Sequence, residues 1–112
     1  MTMSDQMRRF MRLIVFFDLP VVKKEDRKGY TQFRKFLLKD GYDMVQFSVY
    51  SRICNGQESV NKHLGRLEKN LPSKGSVRCM QITEKQYGEI KFLVGKPTKK
   101  EVKVCASQIS FF

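Results

Sequence analysis

Among the side chains able to do chemistry, one carboxylate is conspicuous by its position. Asp18 follows the apolar run from Leu13 to Phe17 and precedes Leu19 and Pro20. An acid just beyond a buried strand is held rigidly at a sheet edge. Magnesium takes oxygen ligands and commonly uses one or two carboxylates, with waters and substrate phosphates completing its shell. One Asp18 is a poor site by itself, whereas two copies facing across a dimer axis make a workable one. A metal there would lower the pKa of a bound water and neutralise charge on a scissile phosphate. On spacing alone the plainer role is favoured, in which Asp18 ends the strand and hydrogen-bonds the turn. The remaining candidates are weaker. His63 is the single histidine, Cys54, Cys79 and Cys105 are scattered, and no Cys-x-x-Cys occurs. A zinc site lacks ligands, and an odd cysteine count argues against a disulfide framework. His63 reads as packing, and Ser48 has no base nearby in sequence.

Charge is the second signal. Twenty-two Lys and Arg oppose 11 Asp and Glu in 112 residues, a net charge of +11. Such an excess calls for a polyanionic partner, nucleic acid or an acidic membrane surface. No apolar run approaches the ~18–20 residues that span a bilayer. Residues 1–10 lack the apolar core and cleavage site of a signal peptide, so a cytoplasmic address is expected. Lys24, Lys28, Lys35 and Lys39 fall on one face at 100° per residue, where they would neutralise phosphates and release counterions. The alternative is an ordinary solvated helix surface. Arg12, Arg52 and Arg78, with Arg8 and Arg9, are further candidate phosphate contacts. Tyr42 and Tyr50 suit either base stacking or a dimer core, the latter being favoured.

The elements that must position these residues follow from periodicity. Residues 1–10 read as a frayed leader with several possible start methionines. Met11–Phe17 is strand-like, with Leu13, Val15 and Phe17 on one face and Arg12, Ile14 and Phe16 on the other. Residues 24–40 have a helical stripe of Tyr30, Phe33, Phe36 and Leu37, and Gly41 is a natural stop. Residues 42–53 alternate as one bent strand or as two strands kinked near Phe47. Val45, Phe47, Val49 and Ile53 form the apolar side. Residues 57–71 give a second helix with Val60, Leu64, Leu67 and Leu71 inward. Ser76–Ile82 is a strand, and Thr83 caps a short helix from Glu84 to Gly88. Short strands are expected at Ile90–Val94 and Gln108–Phe112.

This order makes one α+β domain over residues 11–112, ferredoxin-like βαββαβ with extra C-terminal strands. Helices cover one sheet face. The apolar residues of the other face, with Ile109, Phe111 and Phe112, need burial too. A sheet-to-sheet homodimer, with the strand near 108–112 crossing to its partner, provides it. A monomer whose tail covers that face is the alternative.

With these elements placed, several segments resemble the CRISPR-associated protein two family, in the form that accompanies Cas9-type (type II) systems. They are Met11–Pro20, Gln46–Tyr50, Lys74–Val77 and Ile82–Tyr87. Together they lie within a similarity over about residues 11–95 and the last strand. The resemblance implies a ferredoxin-like homodimer that bridges two dimers of the CRISPR integrase and holds double-stranded prespacer DNA during spacer acquisition. It also implies a possible magnesium-dependent endonuclease, with Asp18 as metal ligand and catalytic residue. Cleavage would then be dispensable for integration, whose chemistry belongs to the integrase. A stand-alone metal-dependent endoribonuclease or deoxyribonuclease is the alternative.

Overall fold

The computed structural model describes residues 10–101. Strand β1 (Phe10–Asp18) leads into helix α1 (Lys24–Lys39), strands β2 (Asp43–Gln46) and β3 (Val49–Asn55), helix α2 (Gln57–Glu68), strand β4 (Ser76–Thr83) and the short helix α3 (Glu84–Gly88). The sheet order is β2-β3-β1-β4, with every pairing antiparallel. This is the expected ferredoxin-like α+β arrangement. The strand expected at Gln108–Phe112 and residues 1–9 of the expected leader lie outside the described residues.

β1 is central because its sequence suits burial on both faces. Leu13, Val15 and Phe17 enter the core beneath α1 and α2, where they meet Phe33, Leu37, Val60 and Leu67. The helices cover this face with the apolar stripes legible in their sequences. α1 opens with an acidic first turn, in which Asp26 accepts from the Lys23 backbone N–H at 3.4 Å. α3 carries a reciprocal cap. Thr83 Oγ1 accepts from the Gln86 N–H at 3.0 Å, and Gln86 Oε1 accepts from the Thr83 N–H at 2.9 Å, satisfying otherwise unpaired donors of the first turn.

The structure corrects several expectations. On β3 the face in the core is that of Tyr50 and Cys54, joined by Tyr42; Val45, Val49 and Ile53 are only half-buried. The register explains this. Tyr50 is paired with Val15, so it shares the face that β1 commits to the helices. Tyr42 and Tyr50 are therefore in the protomer's own core rather than a dimer core, and the Tyr50 hydroxyl accepts from Arg34 Nε at 2.9 Å. Leu71 is exposed, because α2 ends at Glu68 before it can turn that residue inward. Ile90–Val94 forms no strand. It follows α3 as irregular chain, with no partner edge among the described residues.

Arg12 differs most from a surface reading. It faces away from α1 and α2 and is only 6% exposed. Its Nε donates to Glu84 Oε2 at 2.8 Å, and its guanidinium lies 4.1 Å from the Tyr87 ring centroid. Burial pushes the Tyr87 phenol up to about 12, helped by its hydrogen bond to Glu101. The network ties α3 and residues 98–101 to the second sheet face. Removing one member of a buried pair leaves the other charge uncompensated, at about 3–5 kcal/mol. Glu84→Ala is expected to lose stability in that range by urea unfolding, and an effect below about 1 kcal/mol would contradict a buried pair.

Candidate functional site

The position of Asp18 is set from the residue before it. The Phe17 ring packs edge-on against Phe33, with centroids 5.2 Å apart, and stacks on Tyr50 at 5.6 Å. Its backbone N–H donates to the Ser48 carbonyl at 3.0 Å. Phe17 is thus fixed by side chain and main chain together. On the other edge Asp18 is paired with Ser76, the first residue of β4. The strand's pleat turns Asp18 away from the core that holds Phe17. Its side chain is exposed and has no hydrogen bond or ion pair among the described residues. The turn-bonding role favoured by spacing alone is therefore not seen.

Asp18 lines an open groove of about 550 Å³ with Phe16, Phe47, Ser48, Val49, Ser76 and Arg78. Arg78 is opposite Phe16 in the ladder and is exposed. The fold therefore brings together an acid and a cation that are distant in sequence. Phe47 is the residue that sequence reasoning misplaced. It sits where β2 turns into β3 and is 86% exposed. Ser48 beside it has φ +64°, a left-handed conformation that an L-residue adopts at some cost. The alternation that assigned Phe47 to the core side fails where the register slips between Met44 and Gln46. An aromatic residue next to a turn was the available signal.

Lys24, Lys28, Lys35 and Lys39 are all exposed along α1. From first to last they span about 22 Å at 1.5 Å per residue. No ion pair engages any of the four among the described residues. Of the remaining candidates, Arg8 and Arg9 lie outside the described residues, and Arg12 and Arg52 are not brought to this surface. Arg12 is enclosed by Glu84 and Tyr87, and Arg52 is half-buried, donating to the backbone carbonyls of Asp40 and Ile53.

His63 is a packing residue, as expected, but with a charged partner. It is 4% exposed, and its Nδ1–H donates to Asp40 Oδ2 at 2.8 Å while Arg66 donates to Oδ1 at 2.9 Å. This cluster joins the end of α1 to α2. Burial alone would raise the Asp40 carboxyl, but the bonds from His63 and Arg66 outweigh it and hold its pKa below the ordinary carboxylate value. A lowered folded-state pKa adds stability above the unfolded value, near 4, and loses it as pH falls through the folded value. Asp40→Asn is expected to cost about 1.5–3 kcal/mol at pH 7. The gap from wild type should shrink as urea unfolding is repeated down to pH 3. A pH-independent gap would mean that the carboxylate charge is not what matters.

Among the described residues no three His, Cys, Asp or Glu side chains converge as a metal cluster. Asp18 presents one exposed carboxylate per chain, with no partner among the described residues. That fits a cation held jointly with phosphate oxygens or with a second copy, and does not fit an all-protein cage. No helix among the described residues is long and apolar enough to cross a membrane.

The fold is that of a small ferredoxin-like domain with a lone acid at the end of its first strand. Comparison with known families makes the assignment specific. The family described as "CRISPR associated protein Cas2" matches residues 11–90, and the chain belongs to that family. It is 61% identical over 102 residues to a protein of Acidovorax ebreus named "CRISPR-associated endoribonuclease Cas2", covering 91% of this chain and all of that one. Proteins of the same name are 48% identical in Ligilactobacillus salivarius and 43% identical in Flavobacterium psychrophilum. The first match covers 80% of this chain and 88% of the relative; the second covers 79% and 76%.

Proposed function

We propose that this chain is the nucleic-acid-binding scaffold of CRISPR spacer acquisition, a homodimer that holds prespacer duplex DNA and bridges dimers of the integrase. The observation that carries the binding half is the row of exposed lysines on α1 that make no ion pair among the described residues, on a chain of net charge +11. Duplex DNA presents one charge per ~1.7 Å of axis. A row of about 22 Å therefore meets many phosphates without reading a base edge. Prespacers vary in sequence, so contacts confined to the backbone suit this task. The integrase partnership and the cytoplasmic setting rest on family membership. The homodimer is supported by the second sheet face, where Phe16 and Met80 are 37% and 44% exposed. Apolar side chains at such positions gain by meeting a second copy.

A second reading, metal-dependent phosphodiester cleavage, is favoured by the Asp18 groove and by the word endoribonuclease in the relatives' names. A bound magnesium would supply Lewis acidity and an activated water. Asp18 would anchor it, Arg78 would balance charge on the phosphate, and the exposed Phe47 ring would offer a stacking surface to a base. Two chains are needed to bring two such acids to one phosphate.

Integration of a prespacer in vitro with the cognate integrase tests both readings. The wild-type chain is expected to sediment as a dimer and Asp18→Ala to integrate at the wild-type level. Replacing Lys24, Lys28, Lys35 and Lys39 with Ala is expected to weaken duplex binding and flatten its log-log salt slope by about 0.9 per lost phosphate contact. Cleavage of RNA or DNA, where observed, is expected to disappear with chelator and in Asp18→Ala while surviving the lysine replacements. Loss of integration by Asp18→Ala, with dimer and DNA binding intact, would place metal chemistry inside the acquisition step and overturn the scaffold reading.

A further inference from the structure

We infer that Gly75 is a positioning residue for Asp18, acting through the backbone of the turn that follows β1. The inference rests on the reading of Asp18 as a metal ligand. Gly75 has φ +92°, which L side chains rarely adopt, and it immediately precedes the residue paired with Asp18 in the sheet. A Cβ at this position would lie 2.6 Å from the Asp18 carbonyl oxygen, 2.7 Å from Leu19 Cδ2 and 3.1 Å from Leu19 Cα. Two of these three atoms are main chain, so rotation of a side chain cannot relieve the clash. Either the end of β1 or the 72–75 loop must move. The loop is held in place by Lys74, whose Nζ lies 3.5 Å from Asp26 Oδ1, a carboxylate only 8% exposed in the first turn of α1. Leu19 is itself buried. Glycine thus allows the loop to close directly onto the peptide that carries the acid. That contact sets the direction in which the Asp18 carboxylate leaves the strand. Pairing on the Ser48 side ends at Phe17 and the ladder to β4 holds Asp18 through Ser76, so the close approach of Gly75 adds a contact to the peptide beyond Asp18.

Gly56 provides the control. It has φ +90°, but a methyl group there would meet nothing within 4 Å among the described residues, and it follows Asn55, which pairs with Phe10 at the opposite end of β1. Gly56→Ala incurs the same backbone penalty without touching Asp18. The experiment compares wild type, Gly75→Ala, Gly56→Ala and Asp18→Ala by amide NMR, first metal-free and then during titration with Mn2+ alone. Gly75→Ala is expected to shift the Asp18 and Leu19 amides and to raise the Mn2+ midpoint for broadening at Asp18 by about tenfold or more, as for other residues that orient a ligand. Gly56→Ala is expected to leave both near wild type, and Asp18→Ala to abolish the local broadening. Equal behaviour of the two glycine variants at these amides would overturn the inference, as would shifted amides with an unchanged midpoint. If Mn2+ fails to broaden Asp18 in the wild type, the metal reading falls; the metal-free shifts then decide the positioning role alone. Lys74→Ala releases the loop without adding an atom and should move the same amides less. It decides the matter if Gly75→Ala does not fold.

Discussion

Strand β1 is hydrogen-bonded along both edges, to β3 from Phe10 to Phe16 and to β4 from Met11 to Asp18. Its alternate side chains also face different environments. Leu13, Val15 and Phe17 are enclosed by the helices, while Arg12 lies against Glu84 and Tyr87 of α3 and Ile14 is buried on that same second face. A strand so confined has little freedom in register, since a slip by one residue would put Arg12 into the aliphatic core and Leu13 against Glu84. Its last residue inherits that rigidity. Asp18 is exposed and unpartnered among the described residues, yet its backbone is held by the ladder to β4.

The two layers above and below β1 differ in character, and the difference matches the proposed division of labour. The helical layer buries its apolar stripes completely enough that its outer surface is free to be basic. Among the described residues the second face is only partly covered. It carries one enclosed charge pair, the half-buried Val45, Val49 and Ile53, and exposed apolar groups at Phe16 and Met80. The Asp18 groove lies along the second face, beside Phe16 and Arg78. A partner seated there would stand next to the acid as well as over the core.

Elements governed by local chemistry were legible in the sequence. α1 and its stop at Gly41, the kink near Phe47 and the Thr83 cap all depend on residues a few positions apart. The candidate acid was legible for the same reason, as a carboxylate bounded by an apolar run and a proline. What was not legible depends on distant partners. Arg12 looks like any surface arginine until Glu84, 72 residues later, is folded onto it. The aliphatic side of residues 45–53 looks like the core side, yet pairing with β1 assigned the core to Tyr50, whose phenol is large and apolar and whose hydroxyl finds Arg34. Phe47 follows the alternation on paper and leaves it in space because the ladder slips beside it. Ile90–Val94 has the composition of a strand, but composition supplies no neighbour.

The order of the sheet has a consequence for synthesis. The central strand emerges from the ribosome before either of its neighbours, and the neighbour on its second edge, β4, is made only after α2. Until then β1 can complete one ladder, through β3, while its other edge from Met11 to Asp18 offers unpaired peptide groups within an apolar sequence. Such an edge is a template for pairing with another chain. Polysomes bring many nascent copies of β1 close together, and in the interval between residues 55 and 76 this second edge stays open to mispairing after the first has its partner. Slowing elongation there would lengthen the exposure, and a chaperone that masks an apolar strand would act within the same interval.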